Sequence, residues 1–172
     1  MKLLRTIRDS DVFPGSIDRT PTDFAEKTLV KAVIFDEDER VGLVHASKHR
    51  FDRLPGGIVP PDSKVLESLK AQVRNEVGCD IDIIEELGEI VEFRQDTRER
   101  WTCYCYIVRP VEGTQNFTPT KEETADGHEV KWYDGLDLAI SAVLNSHADS
   151  YDARYIIERD TTFLREAELS LQ

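Results

Sequence analysis

The sequence predicts an α/β fold, an α/β/α sandwich in which helices cover both sides of a mixed central β-sheet. Strand-like runs come in two pairs, 28–36 with 41–47 and 80–95 with 100–110, each pair joined by a short charged turn. A stretch with helical apolar spacing separates the pairs, and a second one closes the chain. With 172 residues and 40% hydrophobic content, the chain suits a single domain, 1–172, with a substantial core.

Residues 1–27 are polar and proline-bearing and read as an N-terminal extension. Phe13 and Pro14 stand amid polar neighbours there. The segment suits either of two placements, across a second copy in a homodimer or over a sheet edge. Its opening MKLLRTIRDS lacks the apolar core of a signal peptide, and no apolar run approaches the roughly 18 residues that span a bilayer. The expectation is a soluble cytoplasmic protein without a membrane partner.

TLVKAVIFD (28–36) and VGLVHAS (41–47) flank the DEDER turn as a hairpin. SKHRFDR (47–53) reads as a polar connection into Leu54-Pro55-Gly56-Gly57, whose glycines allow backbone angles closed to other residues. From Ser63, the positions Leu66, Leu69, Val73 and Val77 recur at spacings of 3, 4 and 4, as on a helix with one buried stripe. Ser63 is the expected N-cap and Gly78 the expected C-terminal cap. Asp62 just before the helix supports its N-terminus through the dipole.

In the second strand pair, Trp101, Cys103, Cys105 and Ile107 share a face by alternation. Arg94, Arg98 and Arg100 surround the intervening turn and balance nearby acids. A polar loop follows at 111–127, long enough to be either functional or disordered. After it come a short strand at 128–134, a helix at 135–145 and a terminal amphipathic helix at 148–170 with Tyr155, Ile156, Phe163, Leu164 and Ala167 inward. His128 beside the sheet reads as structural.

Three cysteines at uninformative spacing indicate buried thiols rather than disulfides or zinc ligation. A formal net charge of −12 argues against nucleic acid as a partner, since that binding neutralises phosphates with Lys and Arg. By the same argument a polyphosphate ligand would need a bridging cation.

Residues 54–78, LPGGIVPPDSKVLESLKAQVRNEVG, place a glycine loop before a capped helix. This segment resembles the box of the Nudix hydrolase family, whose signature is Gly, five residues, Glu, seven residues, Arg-Glu, an aliphatic, any residue, Glu-Glu, any residue, Gly. With Gly57 first, the frame falls without a gap on Ser63, Ala71, Gln72, Val73, Arg74, Asn75, Glu76, Val77 and Gly78. The likeness runs along nearly the whole chain, so the Nudix fold is expected. The resemblance implies hydrolysis of a nucleoside diphosphate linked to another group, with Mg²⁺ or Mn²⁺ held on the box helix and a small nucleotide derivative as the ligand.

Content departs from that frame more than spacing does. Residues three and four apart share a helix side, so Gln72, Asn75 and Glu76 form one patch where the family presents three glutamates. Two amides and one acid lower the patch charge from −3 to −1 by simple count. Amide oxygens neither neutralise a hard cation nor deprotonate water. Glu67 points roughly 140° away from Gln72 and cannot substitute. Ala71 stands where the family has the arginine that steadies a box glutamate, and Ser63 where it has the first acid.

The resemblance also implies an additional ligand or base in the long loop, where Glu122 and Glu123 stand; a solvated charge run is the plainer reading. If catalysis persists, Glu76 serves as metal ligand and Glu123 as ligand or base. Arg50 and Arg53, with His49, precede the glycine loop and suit phosphate oxygens, unless they merely face solvent. Phe51 suits stacking on a base, or the core. Gly56 and Gly57 supply the loop backbone. Three functions remain open: a pyrophosphohydrolase with weak or lost activity, a non-catalytic module that binds a nucleotide or a partner, and a hydrolase whose metal cluster is rebuilt from loop acids.

Overall fold

The computed structural model describes residues 1–19 and 22–172. Its spine is β2 (Ala25–Phe35), buried on both faces from Leu29 onward and therefore central. β2 runs parallel to β7 (Glu99–Pro110), and β7 forms a long antiparallel hairpin with β6 (Ile81–Arg94). On its other side β2 meets β3 (Val41–Ala46) and β5 (Gly56–Ile58), both antiparallel. β3 carries β4 (Phe51–Arg53) and β8 (His128–Tyr133). The sheet is mixed, as expected.

The first 27 residues are more than a polar lead. β1 (Leu3–Arg8) lies parallel on β6, pairing Arg5 with Ile90 and Arg8 with Phe93, and Ile7 is fully buried. A strand of 14 residues such as β6 would otherwise leave a long row of open backbone donors and acceptors. A short α1 (Asp9–Val12) follows, and β2 starts at Ala25 rather than at residue 28. The connection expected at 47–53 is likewise part strand: β4 folds back on β3 with Phe51 beside Ala46, and Phe51 is buried against Ala153.

Alternation along β2 divides the core. Leu29, Val33 and Phe35 join Cys103, Cys105 and Ile107 of β7 beneath α4 (Leu136–Leu144) and α5 (Tyr151–Ser170). Trp101 packs at the edge of that cluster, so the predicted shared face is real. Val30, Ala32 and Ile34 face the opposite way onto α2 (Val65–Val77). Helices therefore cover both sides of the sheet. All three cysteines are buried free thiols, and burial pushes Cys79 up to about 12.

The box helix departs from expectation at two points. Its N-cap is Lys64, without a side-chain cap bond, rather than Ser63. Its buried stripe is Leu69, Val73 and Val77, while Leu66 is 38% exposed and the inward place beside Val73 and Val77 goes to Glu76. Gly78 ends the helix as predicted, with φ 76° and its N–H on the carbonyls of Val73 and Arg74. The long loop contains one short helix, α3 (Lys121–Ala125), whose N-cap Thr120 accepts from Glu123 N–H. Among the described residues, no helix is long and apolar enough to cross a membrane.

Candidate functional site

The glycine loop threads between β2, α2 and α5 and is held by all three. Pro55 O accepts from Ala32 N–H at 3.0 Å. Leu54 N–H donates to Asp160 Oδ2 of α5 at 2.9 Å, and Leu54 O accepts from the Lys31 ammonium at 3.0 Å. Gly56 has φ 129°, and a Cβ there would lie 2.1 Å from Val30 O, so only glycine fits. A Cβ on Gly57 would meet the Gln72 side chain at 3.0 Å, which shows how closely that amide packs on the loop.

Glu76 is 2% exposed, and both its oxygens are occupied. Oε1 accepts from Gly56 N–H at 2.8 Å, and Oε2 forms an ion pair with Arg53 of β4. Arg53 thus supplies from a strand the cation that the resemblance would have placed at position 71. The remaining box positions bring no acid: Ser63 and Ala71 are exposed, and Asn75 is exposed with its carbonyl accepting from Thr120 N–H at 2.9 Å. Glu67 faces solvent, as the helical geometry predicts.

The loop acids have no recorded contact with Glu76 among the described residues. Glu122 is exposed, and Glu123 bonds His128 Nδ1 at 2.5 Å at the start of β8. Each of the two carboxylates nominated as a catalytic pair therefore has its own basic partner on a different element. Among the described residues, no group of three or more His, Cys, Asp or Glu is arranged to hold a metal ion. Mg²⁺ requires oxygen ligands carrying negative charge. The one box carboxylate is already satisfied by Arg53 and Gly56, so the donor set does not fit Mg²⁺ or Mn²⁺.

Beside the loop, two cavities of about 590 and 510 Å³ adjoin through Arg53, Asp152 and Ile156, which line both. The larger is bounded by Lys27, Lys31, Gly56, Gly57, Trp101 and Arg159. The smaller is bounded by Phe51, Ala46, His49, His128 and Ala153. Arg53, Gly56 and Gly57 thus come together on the wall of the larger cavity. Phe51 presents only a buried edge, 7% exposed, to the smaller cavity. Arg50 lines neither: it is an exposed turn residue with φ 50° whose carbonyl accepts from His147 N–H.

Sequence reasoning missed a buried charge network at the back of the cleft. Arg159 bonds Asp160 Oδ1 at 2.8 Å and Glu92 Oε1 at 3.3 Å. Arg94, expected in a turn, is instead 4% exposed and bridges Glu92 and Asp152 across the Trp101 ring. Lys31, 3% exposed, has only carbonyl oxygens as hydrogen-bond partners among the described residues. Burial, reinforced by the Arg53 charge and opposed by Asp160, pushes its ammonium down to about 7. The available signal was a lysine interrupting LVKAVIF and a glutamate interrupting IVEFR, charges inside otherwise apolar strands.

The mixed sheet covered by helices on both sides, with its glycine loop clamped to the helix that follows, is an α/β/α sandwich of a kind shared with solved hydrolase structures. A family profile described as NUDIX domain matches residues 27–154, well over half of the chain, and the protein belongs to the Nudix family. Solved structures with this fold include a NUDIX hydrolase from Nitrosomonas europaea, 15% identical with TM-score 0.60, covering 85% of this chain and 90% of that one. A UDP-X diphosphatase is 17% identical with TM-score 0.57, covering 94% of this chain and 69% of that one. An ADP-ribose pyrophosphatase from Streptococcus suis is 20% identical with TM-score 0.52, covering 82% and 91%. No curated protein matches the chain in sequence.

Proposed function

We propose that this Nudix protein binds a nucleotide derivative in the paired cavities and hydrolyses phosphoanhydrides weakly or not at all under Mg²⁺ or Mn²⁺. The observation that carries the reading is the engagement of Glu76 by Arg53 and Gly56 N–H, with uncharged residues at 63, 72 and 75. The carboxylate acts as a structural clamp between loop and helix rather than as an open metal ligand. Two missing charged ligands cost about 5 to 8 kcal/mol of transition-state stabilisation if each counts like an oxyanion donor, roughly four to six powers of ten in rate.

The ligand class rests on the family and on the names of its structural relatives, among them a UDP-X diphosphatase and an ADP-ribose pyrophosphatase. The cavities add room for an anionic group beside Arg53 and an apolar group beside Phe51 and Ile156. We place the protein in the cytoplasm, where three unpaired thiols stay reduced. The test is a panel of nucleoside diphosphate derivatives and dinucleoside polyphosphates with Mg²⁺ and Mn²⁺, read for both turnover and thermal stabilisation. Stabilisation without appreciable turnover is expected; brisk turnover abolished by Glu76→Gln sinks the reading.

A further inference from the structure

We infer that the larger cavity binds phosphate groups by direct contact with Lys27, Lys31 and Arg53, without a bridging metal ion. The inference rests on the reading above and specifies how its ligand is held. It also departs from the composition-based expectation that a chain of net charge −12 needs a cation to receive a polyphosphate.

The distribution of charge around the cavity supports it. The carboxylates of the network lie under the floor: Glu92 and Asp160 are 0% exposed and Glu76 is 2% exposed. The cations Lys27, Lys31, Arg53, Arg94 and Arg159 line the cavity itself. The two acids on its wall are engaged, Asp152 by Arg94 and Glu99 by the Trp101 indole N–H. Among the charged groups that line the cavity, the five cations outnumber these two acids.

Three of the cations have donors to spare. Arg53 places one nitrogen on Glu76 and one on Leu54 O, leaving part of its five-donor fork free. Lys31 has three donors and two carbonyl acceptors, Leu54 O at 3.0 Å and Gly56 O at 3.5 Å, the second at the limit of a hydrogen bond. Neither Lys31 nor the exposed Lys27 has an ion-pair partner among the described residues, and because burial favours release of the Lys31 proton, a bound phosphate would hold that ammonium in its charged form. Lys27 and Lys31 stand on the same face of β2 on either side of Leu29, their Cα atoms about 13 Å apart at strand rise, and both line the cavity. A phosphate group would supply the missing counter-charge, and Lys and Arg are the side chains that recognise it.

Calorimetric titration of the full chain with inorganic pyrophosphate, in EDTA and then in Mg²⁺, tests the inference. Binding in EDTA is expected, with Lys31→Met weakening it at least tenfold and Lys27→Ala severalfold. Because Lys27 is exposed, its variant reports on binding even if Lys31→Met folds poorly. Binding seen only with Mg²⁺, absence of binding in both buffers, or a Lys27→Ala variant equal to the parent overturns the inference. Turnover of nucleotide derivatives would refute weak catalysis and leave EDTA-resistant binding standing; loss of that binding without turnover refutes this inference alone.

Discussion

Glu76 shows how one side chain can change roles while keeping its place. In sequence it is the surviving acid of a metal patch; in space it is a buried anion held by a guanidinium and a backbone N–H. Breaking a buried pair leaves an uncompensated charge, here on Arg53. Glu76→Gln should therefore lower unfolding free energy by about 3 kcal/mol in urea denaturation. Lys31 gives a second prediction. It faces Arg53 from β4, Arg159 and Asp160 from α5, and Glu76 from α2, and its folded pKa of about 7 lies below the ordinary 10.5. Between those values the unfolded chain holds a proton that the native chain has released, so Lys31's contribution to stability rises with pH across that window and is least favourable below it. Comparing denaturation of the parent and Lys31→Met from pH 6.5 to 10, the parent should gain on the variant as pH rises.

At the level of elements, the loop and helix of the box form one mechanical unit. Gly56→Ala forces a Cβ against Val30 O in a backbone conformation that alanine avoids, and should cost more than 2 kcal/mol and lower the melting temperature. Loss of β1 should act differently. Removing residues 1–8 strips the parallel partner from β6 and exposes its edge. That variant should form larger species in size-exclusion chromatography, since an unpaired strand edge recruits other chains. The helices and long strands were legible because their apolar periods span many residues. β1 and β4 were not: β4 has three residues, β1 buries Ile7 alone among polar and half-exposed neighbours, and both gain their stability from the strand they pair with.

For the whole molecule, the question is whether the fold is intact and only the ligand set has changed. Restoring the family pattern with Ser63→Glu, Ala71→Arg, Gln72→Glu and Asn75→Glu should raise metal affinity and phosphoanhydride hydrolysis together, measured by Mn²⁺ titration and product release. A folded quadruple variant that stays inert on the substrate panel would count against the electrostatic account of weak catalysis. Net charge of −12 describes the surface as a whole and conceals the cationic lining of one cleft. Interactions between exposed charges decay within roughly 8 Å in physiological salt, so a ligand responds to the local arrangement more than to the total.

Order along the chain was enough to establish the α/β/α sandwich, the glycine loop, the capped helix and the family frame, because each depends on residues near one another in sequence. The charge deficit at 72 and 75 was visible for the same reason. Partnership was not: Arg53 reaches Glu76 across 23 positions, Leu54 N–H reaches Asp160 across 106, and Arg94 turns from an expected surface balance into part of a buried network. Pairing of that kind depends on distance in space and exclusion of water, and both arise only when the sheet and its two helical layers close around the loop.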